Sequence, residues 1–142
     1  MPIVSEMVNV NGMQCLDGGI TVKIPYQWAI ENGYEKILVI RTRPDGFIRE
    51  PEGKRFMELS EHIYKNYPKL VEMLCNQTDP YNEACRDIKR LHEEGRLMMI
   101  CPSGSINVST LEGDMEKLGA LYLLGRCDAM LQLENIKKYL GI

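Results

Sequence analysis

A carboxylate next to two glycines is the feature of this sequence whose residue types best fit chemistry. Asp17-Gly18-Gly19 follows a stretch that alternates apolar and polar residues around Asn11-Gly12, a dipeptide that tolerates the positive φ angles of a two-residue hairpin turn. The pattern predicts a β-hairpin that ends at Leu16, with the carboxylate in the loop that follows it. Such a carboxylate is either a general base or an ordinary turn residue, because Asp and Gly are common in turns.

A nucleophile to accompany this carboxylate is missing from the sequence. No segment reads Gly-x-Ser-x-Gly, the tight turn that exposes the catalytic serine of many hydrolases. The serines that fail this pattern are Ser5, Ser60, Ser103, Ser105 and Ser109. A Ser-His-Asp triad is a weaker alternative, because His62 and His92 fall on predicted amphipathic helices and no pattern connects them to a serine.

Cysteine, histidine and charge patterns argue against several other functions. The five cysteines are irregularly spaced without a Cys-x-x-Cys pair, and the two histidines have no recurring ligand spacing. We therefore expect reduced thiols, no metal and no cofactor. The formal net charge of −3 gives no electrostatic reason to expect nucleic acid as a partner.

The same sequence lacks the features of membrane-spanning or secreted chains. No apolar run approaches the roughly 20 residues that a bilayer-spanning helix needs. The first residues also lack a basic segment followed by an apolar one. A cytoplasmic protein is expected, with peripheral contact to a membrane left open.

The remaining pattern predicts helices between apolar strands. Pro25 begins a short helix, and residues 37–40 and 97–101 are apolar runs typical of strands buried on both faces. A helix with Asp79 as N-cap and Gly95 as terminator lies between them, after two shorter helices. Residues 115–139 predict one or two helices with a hinge near Gly125.

These elements favour an α/β fold with a boundary near residue 50. Pro51 and mixed charge mark that boundary, which separates a strand-rich part, residues 1–50, from a mainly helical part, residues 51–142. Only about four strands are visible and two of them form the hairpin. A complete α/β enzyme would need more, so we expect partner strands outside this sequence.

The order of short motifs around Asp17 points to one protein family. The motifs are Pro2-Ile3-Val4-Ser5, Val8-Asn9-Val10-Asn11-Gly12, Leu16-Asp17-Gly18-Gly19-Ile20, Ile24-Pro25, Ala29-Ile30, Gly33-Tyr34, Ile37-Leu38-Val39-Ile40 and Thr42-Arg43-Pro44. This order resembles the last third of the patatin-like phospholipase domain, with its Asp-Gly-Gly motif, proline-led helix and buried strand. The later segments Tyr67-Pro68-Lys69-Leu70-Val71, Tyr81-Asn82 and Leu111-Glu112 resemble a C-terminal extension in a bacterial branch of that family.

The resemblance implies a lipid acyl hydrolase that uses a Ser-Asp dyad. In that family the aspartate removes the serine proton while the serine attacks an ester carbonyl, and a glycine-rich loop stabilises the oxyanion. Asp17 matches the base, and Gly18 and Gly19 match its loop. Because the serine and the glycine-rich loop are absent, we expect the chain to be the C-terminal part of such an enzyme, inactive alone. A surface exposed by truncation would then permit a homo-oligomer.

A non-catalytic module is the alternative. In that case the Asp-Gly-Gly turn is only structural, and the C-terminal helices bind a partner through an apolar stripe. The residues of that stripe would be Met115, Leu118, Leu121 and Leu124.

Overall fold

The computed structural model describes residues 6–109 and 111–142. Its elements are β1 (Val8–Val10), β2 (Met13–Cys15), a short 3-10 helix (Gly18–Ile20), α1 (Tyr26–Glu31), β3 (Leu38–Ile40), α2 (Lys54–Ile63), α3 (Pro68–Cys75), α4 (Thr78–Glu93), β4 (Met98–Ile100) and α5 (Met115–Leu140). The fold is therefore mixed α/β. Two compact units are present: Met1–Pro25 with Ile48–Asp87, and Tyr26–Phe47 with Ile88–Ile142.

The first unit begins with the predicted hairpin, which is confirmed. β1 and β2 pair antiparallel with Val8 opposite Cys15 and Val10 opposite Met13. The turn residues Asn11 and Gly12 have φ angles of 50° and 82°, as a two-residue turn with positive φ at both positions requires. The first motif of the family resemblance, residues 2–5, lies outside the described residues.

The core of the first unit joins the segment after the hairpin to two helices. Ile20, Tyr64 and Leu74 are its buried residues. Partly buried apolar side chains surround them: Met7, Leu16, Phe56, Leu70 and Val71. The residues just before and just after the Asp-Gly-Gly motif are thus both anchored in the same core.

The start of α4 differs from the prediction by two residues. The helix begins at Thr78, and the carbonyl of Gln77 accepts the first hydrogen bond, from the N–H of Tyr81. Asp79 is therefore not the N-cap, and it lies in the first turn, where a negative charge is favourable near the helix N-terminus.

The second unit contains a parallel pair of strands. Leu38 pairs with Met98 and Ile40 with Ile100. The expectation that residues 37–40 are buried on both faces is wrong, because Val39 is 7% exposed but Ile40 is 71% exposed. The exposure is local to the end of β3, because Met98, which lies on the same face of the sheet as Ile40, is 7% exposed.

The expected hinge in the last helix is also wrong. α5 runs as one helix of 26 residues through Gly125. Its ends are well capped: the Asp114 carboxylate accepts hydrogen bonds from the N–H groups of Glu116 and Lys117, and Gly141 has the left-handed conformation common after a helix. A single glycine costs only about 1 kcal/mol in a helix interior, which the surrounding helix-forming residues offset. Among the described helices none has the length and apolarity needed to cross a membrane.

Candidate functional site

The loop that carries Asp17 is held from both sides. β2 ends at Cys15, and the half-buried Leu16 packs on the core of the first unit. Three residues after Asp17, Ile20 is buried in the same core at 7% exposure. The backbone therefore turns between two fixed points, and this limits where the intervening carboxylate can lie.

The carboxylate of Asp17 is exposed and oriented by one hydrogen bond. Asp17 is the N-cap of the 3-10 helix, and its Oδ1 accepts a hydrogen bond from the N–H of Gly19 at 2.8 Å. No second hydrogen bond to this carboxylate occurs within the described part of the chain. One oxygen is thus engaged, while the other can still accept a proton.

The two glycines of the motif differ in what they do. A Cβ added to Gly19 would lie 3.1 Å from Asp17 Oδ1, whereas one added to Gly18 meets nothing within 4 Å. A side chain at residue 19 would therefore push on the carboxylate. Residue 18 leaves the approach to the loop open.

Lys23 lies within electrostatic range of Asp17, Arg49 and Glu52. Burial lowers the pKa of Lys23, and the Arg49 guanidinium lowers it further, while Asp17 and Glu52 act in the opposite direction. Arg49 forms an ion pair with Glu52, and its backbone exchanges hydrogen bonds of 2.8 and 2.9 Å with the Asn82 side chain. Sequence patterns did not reveal Arg49 as a neighbour of Lys23, because only folding brings residue 49 close to it.

The serines do not complete a catalytic pair within the first unit. Ser60 lies on α2 with 0% exposure, and its hydroxyl has no hydrogen-bond partner among the described residues. It is a core residue rather than an exposed nucleophile. Ser103, Ser105 and Ser109 belong to the second unit, and Ser5 is outside the described residues.

The histidines occupy helix positions, as the sequence pattern indicated. His62 is exposed on α2. The Nδ1 of His92 lies 3.4 Å from the Leu97 carbonyl oxygen and 3.3 Å from the Met99 nitrogen, so this ring contacts the connection between α4 and β4. No group of three or more potential metal ligands occurs among the residues that the structure describes.

The arrangement can therefore accept or return a proton at an exposed loop. The Asp17 carboxylate is positioned by Gly19, lies near Lys23 and is accessible to a group from outside the first unit. An alcohol brought within hydrogen-bond distance of its second oxygen would find a suitable proton acceptor.

Comparison with known proteins identifies a distant relative. The "Uncharacterized protein YjjU" of Escherichia coli (strain K12) is 27% identical over 133 residues, which cover 94% of this chain and 37% of that protein. The chain thus spans a little over a third of the length of this relative. No solved structure matches the chain.

One family matches the C-terminal half. Its description is "Domain of unknown function (DUF6363)", and the matched segment is residues 67–141, from the start of α3 to the end of α5. This segment makes up more than half of the chain, and the protein therefore belongs to the DUF6363 family.

Proposed function

We propose that this chain supplies the general base of a patatin-like lipid acyl hydrolase, in which Asp17 takes the proton of a serine that attacks an ester carbonyl. The observation that carries the proposal is the exposed Asp17 carboxylate, held by the Gly19 N–H directly after a strand. The same geometry suits the second step, in which the base activates water to cleave the acyl-enzyme.

The hairpin that leads to Asp17 supports the idea of a larger α/β hydrolase sheet. Val8, Val10 and Met13 are 62%, 47% and 63% exposed, although apolar strand residues are usually covered. A two-stranded hairpin is also marginally stable alone, and its outer edges offer unpaired backbone groups. Further strands joined to this edge would extend the sheet and bring a serine to Asp17, and elements packed on the extended sheet would cover the apolar side chains.

The longer relative supports the same reading. The match to the Escherichia coli protein leaves 63% of that protein outside the aligned region, which is ample length for a nucleophile loop and an oxyanion loop. The five cysteines lie in the described part of the chain and form no disulfide there, in agreement with a proposed cytoplasmic location. The proposed substrates are phospholipids, lysophospholipids or simple esters.

The experiment uses the complete reading frame that contains this chain. The purified protein is assayed with p-nitrophenyl esters and lysophospholipids, and its serine is titrated with a fluorophosphonate. Asp17→Asn is expected to lower kcat/KM and the labelling rate roughly 10²- to 10⁴-fold, the contribution of a positioned base. Asn caps a helix about as well as Asp, so folding is retained.

Asp114→Asn is the matched control, because Asp114 also caps a helix through its carboxylate. It should hydrolyse esters at the wild-type rate. The hydrolysis rate of Gly19→Ala should lie between those of Asp17→Asn and Asp114→Asn, since the added methyl group displaces the Asp17 carboxylate. Unchanged turnover of Asp17→Asn, or a frame without hydrolysis and without labelling, would overturn the proposal.

A non-catalytic interaction module is the second candidate, and it is favoured by the apolar surface of α5. Of the stripe expected from the sequence, Met115 and Leu118 are 77% and 36% exposed, while Leu121 and Leu124 are half-buried. The exposed residues point to a different face of α5 as the binding surface.

A further inference from the structure

The segment that joins α3 to α4 holds the last residue of the Asp17 turn. Ile20 ends the 3-10 helix that Asp17 caps. Its side chain belongs to the core of the first unit together with Leu74, which lies near the end of α3. Its carbonyl oxygen accepts a hydrogen bond of 3.5 Å from the side-chain amide of Gln77. One short segment, residues 74–77, therefore fixes Ile20 through the core and through the backbone.

The peptide group between Ile20 and Thr21 is bonded at both ends. Its carbonyl accepts from Gln77, and its N–H, on Thr21, donates to the Gly18 carbonyl at 3.1 Å. One residue earlier along the turn, the N–H of Ile20 donates to the Asp17 carbonyl at 3.0 Å. A rotation of the peptide group after Ile20 would therefore disturb the turn that orients Asp17.

The contact between Gln77 and Ile20 is shielded from water. Gln77 is 8% exposed, and a buried carbonyl that loses a donor must shift towards another partner or stay unsatisfied at a cost. Loss of the Gln77 amide should therefore move the Ile20 carbonyl. A separation of 3.5 Å is long for an N–H···O hydrogen bond, so we expect a smaller effect than that of replacing Asp17 itself.

We propose that Gln77 is a positioning residue for the Asp17 base: its amide orients the peptide group after Ile20, and with it the turn that presents the Asp17 carboxylate. This inference rests on the proposed function of Asp17. Gln77 lies within residues 67–141, the segment that matches the DUF6363 family. The proposal thus gives the start of that segment a part in the reaction.

The neighbouring residue, Thr78, offers a matched control. It is also 8% exposed, and its hydroxyl donates to a backbone carbonyl, that of Glu50, at 3.3 Å. Both side chains thus connect the start of α4 to a distant backbone carbonyl, but only Gln77 bonds to the Asp17 turn. Comparing the two residues separates the positioning of Asp17 from general support of the fold.

The experiment uses the protein from the complete reading frame and expresses kcat per serine titrated with a fluorophosphonate. Gln77→Met keeps the length of the side chain and removes the donor. Its kcat and its labelling rate should fall about tenfold with KM unchanged, because a misplaced base acts only in the chemical step. Thr78→Val should keep the wild-type kcat, although both variants should unfold at a lower urea concentration.

A second variant keeps the proposal testable if Gln77→Met does not fold. Gln77→Asn keeps an amide that is one methylene too short to reach the Ile20 carbonyl, and Asn is favourable at helix starts, so α4 should form. It should lower kcat in the same way. A wild-type kcat in the folded Gln77 variants, or an equal loss in Thr78→Val, would overturn the positioning role.

Asp17→Asn, measured in the same series, distinguishes the two proposals. If Asp17→Asn is slow while the Gln77 variants hydrolyse esters at the wild-type rate, Asp17 remains the base and only the role of Gln77 is wrong. If Asp17→Asn is as fast as the wild type, the proposed function is wrong, and the positioning role is wrong with it.

Discussion

The two longest helices of the protein use their apolar residues in different ways. α4 has one apolar side, on which Cys85, Ile88 and Leu91 are 8%, 0% and 2% exposed. α5 is longer, yet its one buried residue is Asp128, and its large apolar side chains lie mostly in solvent. The chain itself covers α4, and it leaves α5 with an uncovered surface.

This difference shows that apolar content alone does not identify core residues. In α4 the apolar residues recur at three and four positions, so a single face serves the core. In α5 they occur around much of the helix, and only one side can pack on the chain's own second unit. The other side is left exposed in the described part of the chain, so its apolar residues do not contribute to that core.

The largest predicted effect is on stability, and it compares a side chain of α4 with a side chain of α5. Ile88→Ala removes a side chain with 0% exposure and should lower the free energy of unfolding by about 2–5 kcal/mol through lost burial and the cavity left behind. Leu131→Ala removes a side chain that is 80% exposed and should change the free energy of unfolding by less than about 0.5 kcal/mol. Urea denaturation at one protein concentration measures both. Similar losses in the two variants would remove the contrast between the helices.

Sequence patterns predicted the parts of the fold that depend on local chemistry. Asn11-Gly12 predicted the hairpin turn because few dipeptides adopt positive φ at both positions, and Gly95 marked the end of α4 for the same reason. The hinge at Gly125 and the two-sided burial of residues 37–40 were wrong. The absence of the hinge depends on how strongly the neighbouring residues of α5 favour a helix. The burial of residues 37–40 depends on which of their side chains the rest of the chain covers.

The candidate site was predictable only in part for a related reason. Asp17-Gly18-Gly19 is contiguous, so its sequence pattern was visible, although its catalytic role stays a prediction. Arg49 lies near Lys23, a neighbour of Asp17, only after folding, and no spacing in the sequence indicates this. Likewise, the role of Gly19 in limiting the carboxylate position depends on a distance of 3.1 Å that only coordinates provide.

A smaller effect concerns the single buried residue of α5. Asp128 Oδ2 accepts a hydrogen bond from the Ser103 N–H at 2.9 Å, and the side-chain and backbone hydrogen bonds from Ser103 lower the pKa of Asp128 below the usual 3.8. The charged form is thus favoured in the folded state. The charged Asp128 carboxylate stabilises the fold fully above the pKa that it has in the unfolded state. This stabilisation is lost as the pH falls through the lower pKa that it has in the folded state.

The measurement compares the wild type with Asp128→Asn by urea denaturation near pH 7 and near pH 3. The wild type should be more stable near pH 7, and the difference should shrink near pH 3, because the unfolded state then binds the proton while the folded state favours the charged carboxylate. Ser103→Ala is the control, because it keeps the backbone N–H and should retain part of the pH dependence. A difference that is the same at both pH values would contradict the assignment.

The smallest effect tests whether α5 is one uninterrupted helix. A Cβ added to Gly125 meets nothing within 4 Å. Gly125→Ala should therefore raise the free energy of unfolding by about 0.5–1 kcal/mol, because alanine loses less backbone entropy in a helix. Gly95→Ala is the matched contrast: Gly95 has a φ of 72°, so the same change should destabilise. Destabilisation by Gly125→Ala in thermal unfolding would mean that α5 bends at this residue.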